Sequence, residues 1–172
     1  MSWPTSIAKG ITDMNNILKG LQKDLLHLPR THPKRRATAI PAMQALQAEL
    51  GYLDDAAIKK ITQITGLSTT EVEELATFYS LIYRRPTGRH IVRICDSVCC
   101  SMRGADQLLT AAEEYIRTPL GAVTPDGALT VLPGICLGLC DKAPAALVDG
   151  EALGPLNHAS LKALLQRLQK ED

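Results

Sequence analysis

Two closely spaced pairs of cysteines restrict the fold of this chain more than any other feature. The first pair lies in Cys95-Asp-Ser-Val-Cys-Cys100 and the second in Cys136-Leu-Gly-Leu-Cys140. Each pair follows a short apolar run of the kind that forms a β-strand. We therefore expect the two strands to bring four thiols to one end of a sheet, where thiolates can hold a metal centre.

The spacing inside each pair indicates which metal centre to expect. Four residues separate Cys95 from Cys100, and three separate Cys136 from Cys140. Zinc sites with four cysteine ligands favour shorter spacings, so an iron–sulfur cluster and electron transfer are the favoured interpretation. The alternatives are a zinc site, buried structural cysteines and a redox-active dithiol, although the chain contains no C-x-x-C motif.

The first pair is ambiguous because Cys99 and Cys100 are neighbours. Spacing alone permits Cys95 to pair with either of them. The chain has five cysteines, so one thiol is left over, and we expect it to pack in or beside the loop.

The start of the chain carries no targeting signal that we recognise. Its first residues, Met-Ser-Trp-Pro-Thr-Ser, lack the basic start and long apolar core of a signal peptide. No apolar run approaches the ~20 residues that cross a bilayer. We therefore expect a cytoplasmic protein with no membrane insertion of its own, whose clustered cysteines serve metal or redox chemistry and not structural disulfides.

The hydrophobic pattern predicts a helical domain over residues 1–85. Apolar residues at helical spacing predict helices at residues 13–27, 38–51 and 54–66. In the second of these, we expect Thr38 to cap the helix and Pro41 to lie in its first turn. A fourth helix follows a capping box formed by Ser68 and Glu71. These short helices predict a small bundle with an N-terminal extension, which ends at the breaker-rich connector around Pro86.

The pattern changes in residues 86–172, which predict an α+β domain. Strands are expected at residues 90–95, 129–132, 145–148 and 151–153, with Asp149-Gly150 as a hairpin turn. Helices are expected at residues 103–117 and 159–168. The order of strand, helix, strand, hairpin and helix is typical of a thioredoxin-like layer, so the predicted fold class is α+β.

Residues 58–80 also have the pattern of a helix-turn-helix, which makes DNA binding an alternative function. The second helix of this segment carries Glu71, Glu73 and Glu74, and no basic residue follows before Arg84. Carboxylates that face DNA would repel its phosphates. The net charge of +1 does not indicate a basic surface either, so we expect no nucleic-acid partner.

From about Ala37 onward, the sequence strongly resembles the small thioredoxin-like [2Fe-2S] ferredoxin subunit of the NADH dehydrogenase module of respiratory complex I, the family of NADH-quinone oxidoreductase E subunits. The family pattern is C-x4-C followed by C-x3-C, which selects Cys100 over Cys99. Four segments carry the resemblance: Ala76-Thr-Phe-Tyr-Ser80, Pro86-Thr-Gly-Arg-His90, Cys95-Asp-Ser-Val-Cys-Cys100 and Leu132-Pro-Gly-Ile-Cys-Leu-Gly-Leu-Cys-Asp-Lys-Ala-Pro144.

The resemblance implies one [2Fe-2S] cluster per chain, with Cys95, Cys100, Cys136 and Cys140 as its ligands and Cys99 as a non-ligand. It implies a one-electron carrier, without a substrate-binding active site of its own, that exchanges electrons with the FMN of a partner NADH-binding flavoprotein subunit. Further iron–sulfur subunits would be partners as well. The complex would hold the chain in the cytoplasm, peripheral to the inner membrane.

Two alternatives to this function stay open on the sequence. Closely similar subunits serve the diaphorase modules of NAD-linked hydrogenases and formate dehydrogenases, so the chain is compatible with those assemblies too. A zinc-stabilised interaction or regulatory protein is the alternative from a different class, and it would be redox-silent.

Overall fold

The computed structural model describes residues 18–20, 23 and 32–171 of the chain. Its internal contacts divide the chain into two compact units, one that ends at Pro86 and one that begins at Thr87. The predicted helix at residues 13–27 lies largely outside the described residues. Of its positions, residues 18–20 and 23 are described, and they are helical.

The first helix of the first unit, α1 (Pro33–Leu50), begins earlier than predicted. The ring nitrogen of His32 caps it by accepting a hydrogen bond from a first-turn amide at 3.2 Å, and Pro33 stands in the first turn. Thr38 lies inside the helix, so its predicted role as the cap is wrong. Pro41 is likewise inside the helix and not in its first turn, at an exposed position.

The next two helices are α2 (Asp55–Thr65) and α3 (Thr69–Phe78), and the capping box predicted at the start of α3 is confirmed. The Asp54 carboxylate accepts a hydrogen bond from an amide of the first turn of α2 at 2.7 Å. At α3, the Ser68 hydroxyl accepts from the Glu71 amide at 3.3 Å, and the Glu71 carboxylate accepts from the Ser68 amide at 2.9 Å. The buried side chains of this unit form one apolar cluster: Leu18, Ala39, Ala42, Met43, Leu46, Leu53, Ala57, Ile58, Ile61, Ile64, Leu67, Val72, Ala76 and Ile82.

The second unit contains a mixed four-stranded sheet in the order β2-β1-β3-β4. Strands β1 and β2 are parallel, β1 and β3 are antiparallel, and β3 and β4 form the predicted hairpin. β2 is two residues longer than predicted, which brings Gly134 opposite Cys95. The bounds of the strands are β1 (His90–Cys95), β2 (Leu129–Gly134), β3 (Ala146–Val148) and β4 (Glu151–Leu153).

Helices α5 (Ala105–Ile116) and α6 (His158–Lys170) pack on the sheet through a shared apolar core. The predicted helix at residues 103–117 is preceded by a separate short helix, α4 (Val98–Ser101), because Gly104 with a φ of 92° breaks the chain direction before α5. Helices combined with a mixed sheet confirm the predicted α+β class. The core between helices and strands contains Val92, Ile94, Leu108, Ala112, Ile116, Ala128, Leu129, Val131, Ala146, Val148, Leu156, Leu161, Leu164, Leu165 and Leu168.

Candidate metal centre

The parallel pairing of β1 and β2 places the cysteine segments at one edge of the sheet. In register, Cys95 is the last residue of β1 and faces Gly134, the last residue of β2. Cys136 follows two residues after the end of β2, and Cys140 opens a short 3₁₀ turn. Because parallel strands end at the same edge, both cysteine pairs leave the sheet side by side.

Backbone and side-chain hydrogen bonds tie the two cysteine segments together just beyond the strands. The Asp96 amide donates to the Gly134 carbonyl at 3.0 Å, which extends the strand pairing by one step. The Cys136 amide then donates to the Ser97 hydroxyl oxygen at 2.8 Å. We call this second bond the Ser97 bridge. It joins the two loops side by side, and no feature of the sequence pointed to it.

The five thiols fall into a buried pair and an exposed group. Cys95 and Cys100 are 3% and 2% exposed and pack with the small apolar side chains of Ala105, Ala143 and Ala145. The other three thiols, Cys99, Cys136 and Cys140, are exposed. The neighbouring residues Cys99 and Cys100, which spacing could not separate, therefore occupy opposite environments on α4.

The Cys95 sulfur is surrounded by hydrogen-bond donors. Burial raises the pKa of the Cys95 thiol, but the amides of Ser97 and Leu137 donate hydrogen bonds to its sulfur, and the Cys100 thiol donates a third. Together these bonds outweigh burial and leave the pKa of Cys95 below its ordinary value. Backbone amides directed at a sulfur are the surroundings that a negatively charged thiolate ligand requires.

Cys100 and Cys140 each have a raised pKa. Burial, followed by the adjacent Cys95 sulfur, raises the pKa of Cys100, although the Ala145 amide donates a hydrogen bond that opposes this. Contact with the Cys99 and Cys136 thiols raises the pKa of Cys140 to about 11. Thiolates gathered this closely repel one another. A cation bound among them offsets this repulsion, and its coordination releases the thiol protons to solvent.

These residues fit the iron–sulfur cluster that the sequence predicts. The site offers soft sulfur ligands, amide donors directed at the buried sulfurs, and an apolar side formed by small residues. Gly134 leaves room for the stem of Arg93, since a Cβ at this position would lie 2.6 Å from the Cγ of Arg93. Within the part of the chain that the structure describes, no group of three or more His, Cys, Asp or Glu residues is arranged to hold a single metal ion.

The charged residues that border the candidate ligands differ in their exposure. Asp96 and Asp141, which adjoin cysteines, are both exposed, so water screens their negative charge. The cationic residues Arg103 and Lys142, which are close to cysteines in the sequence, are exposed as well. Sequence reasoning missed Arg93, which is buried on the same strand as Cys95. Its position two residues before a candidate ligand is the signal that could have identified it.

Comparison with known proteins gives a family match over most of the chain. The family model of thioredoxin-like [2Fe-2S] ferredoxins matches residues 26–169. The NADH-quinone oxidoreductase E subunit of Pseudomonas aeruginosa is 40% identical over 131 residues, covering 76% of this chain and 79% of that protein. The protein of the same name from Escherichia coli (strain K12) is 39% identical over 132 residues, covering 77% of this chain and 80% of that protein.

Two solved structures with a similar fold are of an NAD+-reducing [NiFe]-hydrogenase. An NAD+-reducing [NiFe]-hydrogenase in its air-oxidised state contains a chain that matches with a TM-score of 0.64 and 28% identity. The match covers 74% of this chain but only 22% of the hydrogenase chain, so it corresponds to about a fifth of that protein's length.

Among the described residues, no helix has the length and apolar character needed to cross a membrane.

Proposed function

Because the chain belongs to the thioredoxin-like [2Fe-2S] ferredoxin family, we propose that it is the one-electron carrier subunit of an NADH:quinone oxidoreductase. The observation that carries this proposal is the meeting of two cysteine pairs at the common end of parallel strands β1 and β2. The similarity to the two bacterial E subunits over about three quarters of the chain supports the choice of assembly.

The proposed ligands of one [2Fe-2S] cluster per chain are Cys95, Cys100, Cys136 and Cys140. The family spacing supports this set, and so does the burial of Cys95 and Cys100. Cys99 is exposed on α4, and we propose that it is not a ligand even though its thiol touches that of Cys140. When bound, the cluster supplies a site that accepts and returns a single electron.

The residues around the ligands hold the site in place and keep water from its inner side. The amides of Ser97, Leu137 and Ala145 donate hydrogen bonds to the buried sulfurs and so stabilise their negative charge. The small side chains of Ala105 and Ala143 close the apolar side behind them. The outer side, at Cys136 and Cys140, is open to contact with another protein.

We propose that the chain has no substrate-binding active site of its own and works with partner subunits. Its electron partner would be the FMN- and NADH-binding flavoprotein subunit of the same complex, with further iron–sulfur subunits beyond it. The complex would hold the chain at the cytoplasmic side of the inner membrane. Residues 1–85 would form the helical domain and residues 86–172 the cluster-binding domain.

An apolar surface beside the exposed ligands supports contact with a partner at this edge. In the second unit, the large apolar side chains that are exposed among the described residues are Val98 at 71%, Met102 at 83%, Ile135 at 86% and Leu153 at 36%. All except Leu153 lie within two residues of a proposed ligand. Apolar surface of this kind marks sites of protein contact.

Hydrogen bonds place three of these side chains in one region, which we call the apolar patch (Val98, Met102 and Ile135). The Met102 amide donates to the Val98 carbonyl at 2.9 Å, so the two residues lie on one side of a helical turn. The Ser97 bridge brings the segment of Ile135 beside them. Each partner in a stable interface buries ~800 Å² from roughly twenty or more residues, so we expect these three side chains to be the centre of a larger contact.

The cofactor is tested by purifying the full chain anaerobically and measuring iron, acid-labile sulfide and zinc. We expect about two irons and two sulfides per chain, and a rhombic S = 1/2 EPR signal that arises only on reduction. Stoichiometric zinc without an EPR signal would contradict the electron-carrier function. It would favour the alternative of a zinc-stabilised interaction or regulatory protein.

The partner is tested by co-expressing the chain with the flavoprotein subunit and measuring how much of that subunit co-purifies. Ile135→Glu and Met102→Glu place a charge in the apolar patch, so we expect each to reduce co-purification while iron content stays unchanged. Leu153→Glu on β4 is the matched control, because it changes an exposed leucine outside the two cysteine loops and outside the apolar patch. Equal loss of the partner in all three variants would contradict a contact at the patch.

The diaphorase module of an NAD-linked hydrogenase is the second candidate assembly. The structural similarity to the NAD+-reducing hydrogenase favours it, since that fold match covers about three quarters of this chain. Activity assays on the co-purified complex with quinone, NAD+ plus hydrogen, or formate as substrates separate the candidates. Turnover with hydrogen or formate and none with quinone would contradict our choice of NADH:quinone oxidoreductase.

A further inference from the structure

Arg93 is a buried cation on the strand that ends in a proposed ligand. It lies in β1 two residues before Cys95, so the two side chains point to the same face of the sheet. The intervening and preceding residues, Ile94 and Val92, point to the opposite face and join the helix-covered core. Arg93 is only 8% exposed.

The side chain of Arg93 runs along the sheet toward the cysteine end. In register, Arg93 pairs with Leu132 on β2, whereas Gly134 pairs with Cys95. A Cβ built on Gly134 would nevertheless lie 2.6 Å from the Cγ and 2.9 Å from the Cδ of Arg93. The arginine stem therefore extends along the sheet from the position of Arg93 to that of Cys95, two residues further along the strand.

The same small space also contains part of the loop that carries the second cysteine pair. The Cδ2 of Leu137 would lie 3.2 Å from the Cβ built on Gly134, beside the stem of Arg93. The amide of Leu137 donates a hydrogen bond to the Cys95 sulfur. Leu137 therefore lies beside the arginine stem and also donates a hydrogen bond to the proposed ligand Cys95.

The other charges near the proposed ligands are exposed to solvent. Within three positions of these cysteines, the described residues include Arg93, Asp96, Arg103, Asp141 and Lys142, and all except Arg93 are exposed. Water and salt screen exposed charges strongly, whereas a buried charge acts through a lower effective dielectric. Arg93 therefore exerts the least screened of these charge effects on the site.

We propose that Arg93 raises the reduction potential of the cluster. The inference rests on the proposed function, since it needs the cluster at these cysteines. One-electron reduction adds one negative charge to a site that already carries four thiolates, and the chain releases or binds no other group in this step. A fixed positive charge stabilises the reduced form more than the oxidised form, which makes the electron easier to accept.

The test is an EPR-monitored redox titration of the full chain with its cluster bound. Arg93→Met and Arg93→Gln remove the charge, while Arg93→Lys keeps it. At the wild-type midpoint potential, we expect the ratio of reduced to oxidised cluster to fall about tenfold in Met and Gln variants. That change is about 59 mV for a one-electron couple. Arg93→Lys should stay close to the wild type.

Arg103→Met is the matched control, because it removes an exposed cation three residues after the proposed ligand Cys100. We expect Arg103→Met to change the ratio of reduced to oxidised cluster little. High salt should abolish this small change but leave the change caused by Arg93→Met in place. An unchanged potential in either neutral variant of Arg93 that binds its cluster would overturn the proposal. So would equal shifts in the Lys and Met variants, because these would indicate a packing effect and not a charge effect.

Iron and sulfide content separates this proposal from the proposed function. If the wild-type chain binds zinc or no metal, the function as an electron carrier fails. If the wild type and variants all contain two irons and two sulfides and titrate alike, the function stands and the role of Arg93 fails. Two neutral variants are used so that a folding defect in one still leaves the other to decide.

Discussion

The Ser97 bridge gives the sharpest prediction for how the structure retains its cluster. The Ser97 hydroxyl accepts a hydrogen bond from the Cys136 amide at 2.8 Å and so joins the loops that carry the two cysteine pairs. Ser97→Ala removes this acceptor. The backbone amide of Ser97, which donates to the Cys95 sulfur, stays in place. The substitution therefore affects the connection between the loops and leaves the hydrogen bond to the ligand intact.

The expected magnitude follows from the strength of one neutral hydrogen bond. Such a bond contributes about 1 kcal/mol net, since water replaces part of what is lost. Cys136 is exposed, so its amide can bind water once the serine is changed, and the cost of the substitution stays near this value. A difference of about 1 kcal/mol changes the equilibrium between joined and separated loops by roughly fivefold.

The assay is the rate of cluster loss, followed by visible absorbance under anaerobic conditions with excess iron chelator. We expect Ser97→Ala to release its cluster about fivefold faster than the wild type. Ser97→Thr keeps a hydroxyl and should stay near the wild-type rate. Ser101→Ala is the matched control, because Ser101 ends the short helix that Ser97 precedes but bonds to Asp106, at 2.6 Å, and not to a cysteine loop.

Two results would refute this reasoning. The first is a wild-type rate of cluster loss in Ser97→Ala, which would mean that the bridge does not hold the loops together. The second is an equal acceleration in Ser101→Ala, which would indicate a general weakening of the short helix.

Four further substitutions test the ligand assignment and the two units. Cys100→Ser should lower the iron content strongly, whereas Cys99→Ser should leave it near the wild-type value, because only Cys100 is buried beside Cys95. The reverse result in an iron analysis would overturn the ligand assignment. Gly88→Ala should destabilise the second unit by about 3 kcal/mol in urea unfolding, since its Cβ would lie 2.5 Å from the β2 backbone. A loss of less than about 1 kcal/mol in unfolding free energy would contradict that clash. Pro41→Ala should raise the unfolding free energy of the first unit by about 1–2 kcal/mol, because it restores a helix hydrogen bond inside α1. An unchanged urea midpoint would show that Pro41 does not destabilise the helix.

Much of the fold was predictable from local sequence signals. The strand at residues 90–95, the Asp149-Gly150 hairpin and the Ser68 capping box were each predicted correctly, since each depends on a few adjacent residues. The start of α1 was not predictable in this way. His32 is an unusual cap, and Pro41 resembled a first-turn proline until the structure showed it inside the helix.

The amino-acid pattern alone specified which residues are available to hold a metal and the order in which they leave the strands. Its cysteine spacing narrowed the ligands to Cys95, Cys136, Cys140 and one of two neighbours. The folded chain was needed to show that Cys100 is buried while Cys99 is exposed, that Ser97 joins the loops, and that Arg93 extends toward the ligands. The physical reason is register: these contacts depend on β1 lying parallel to β2, which pairs residues almost forty positions apart.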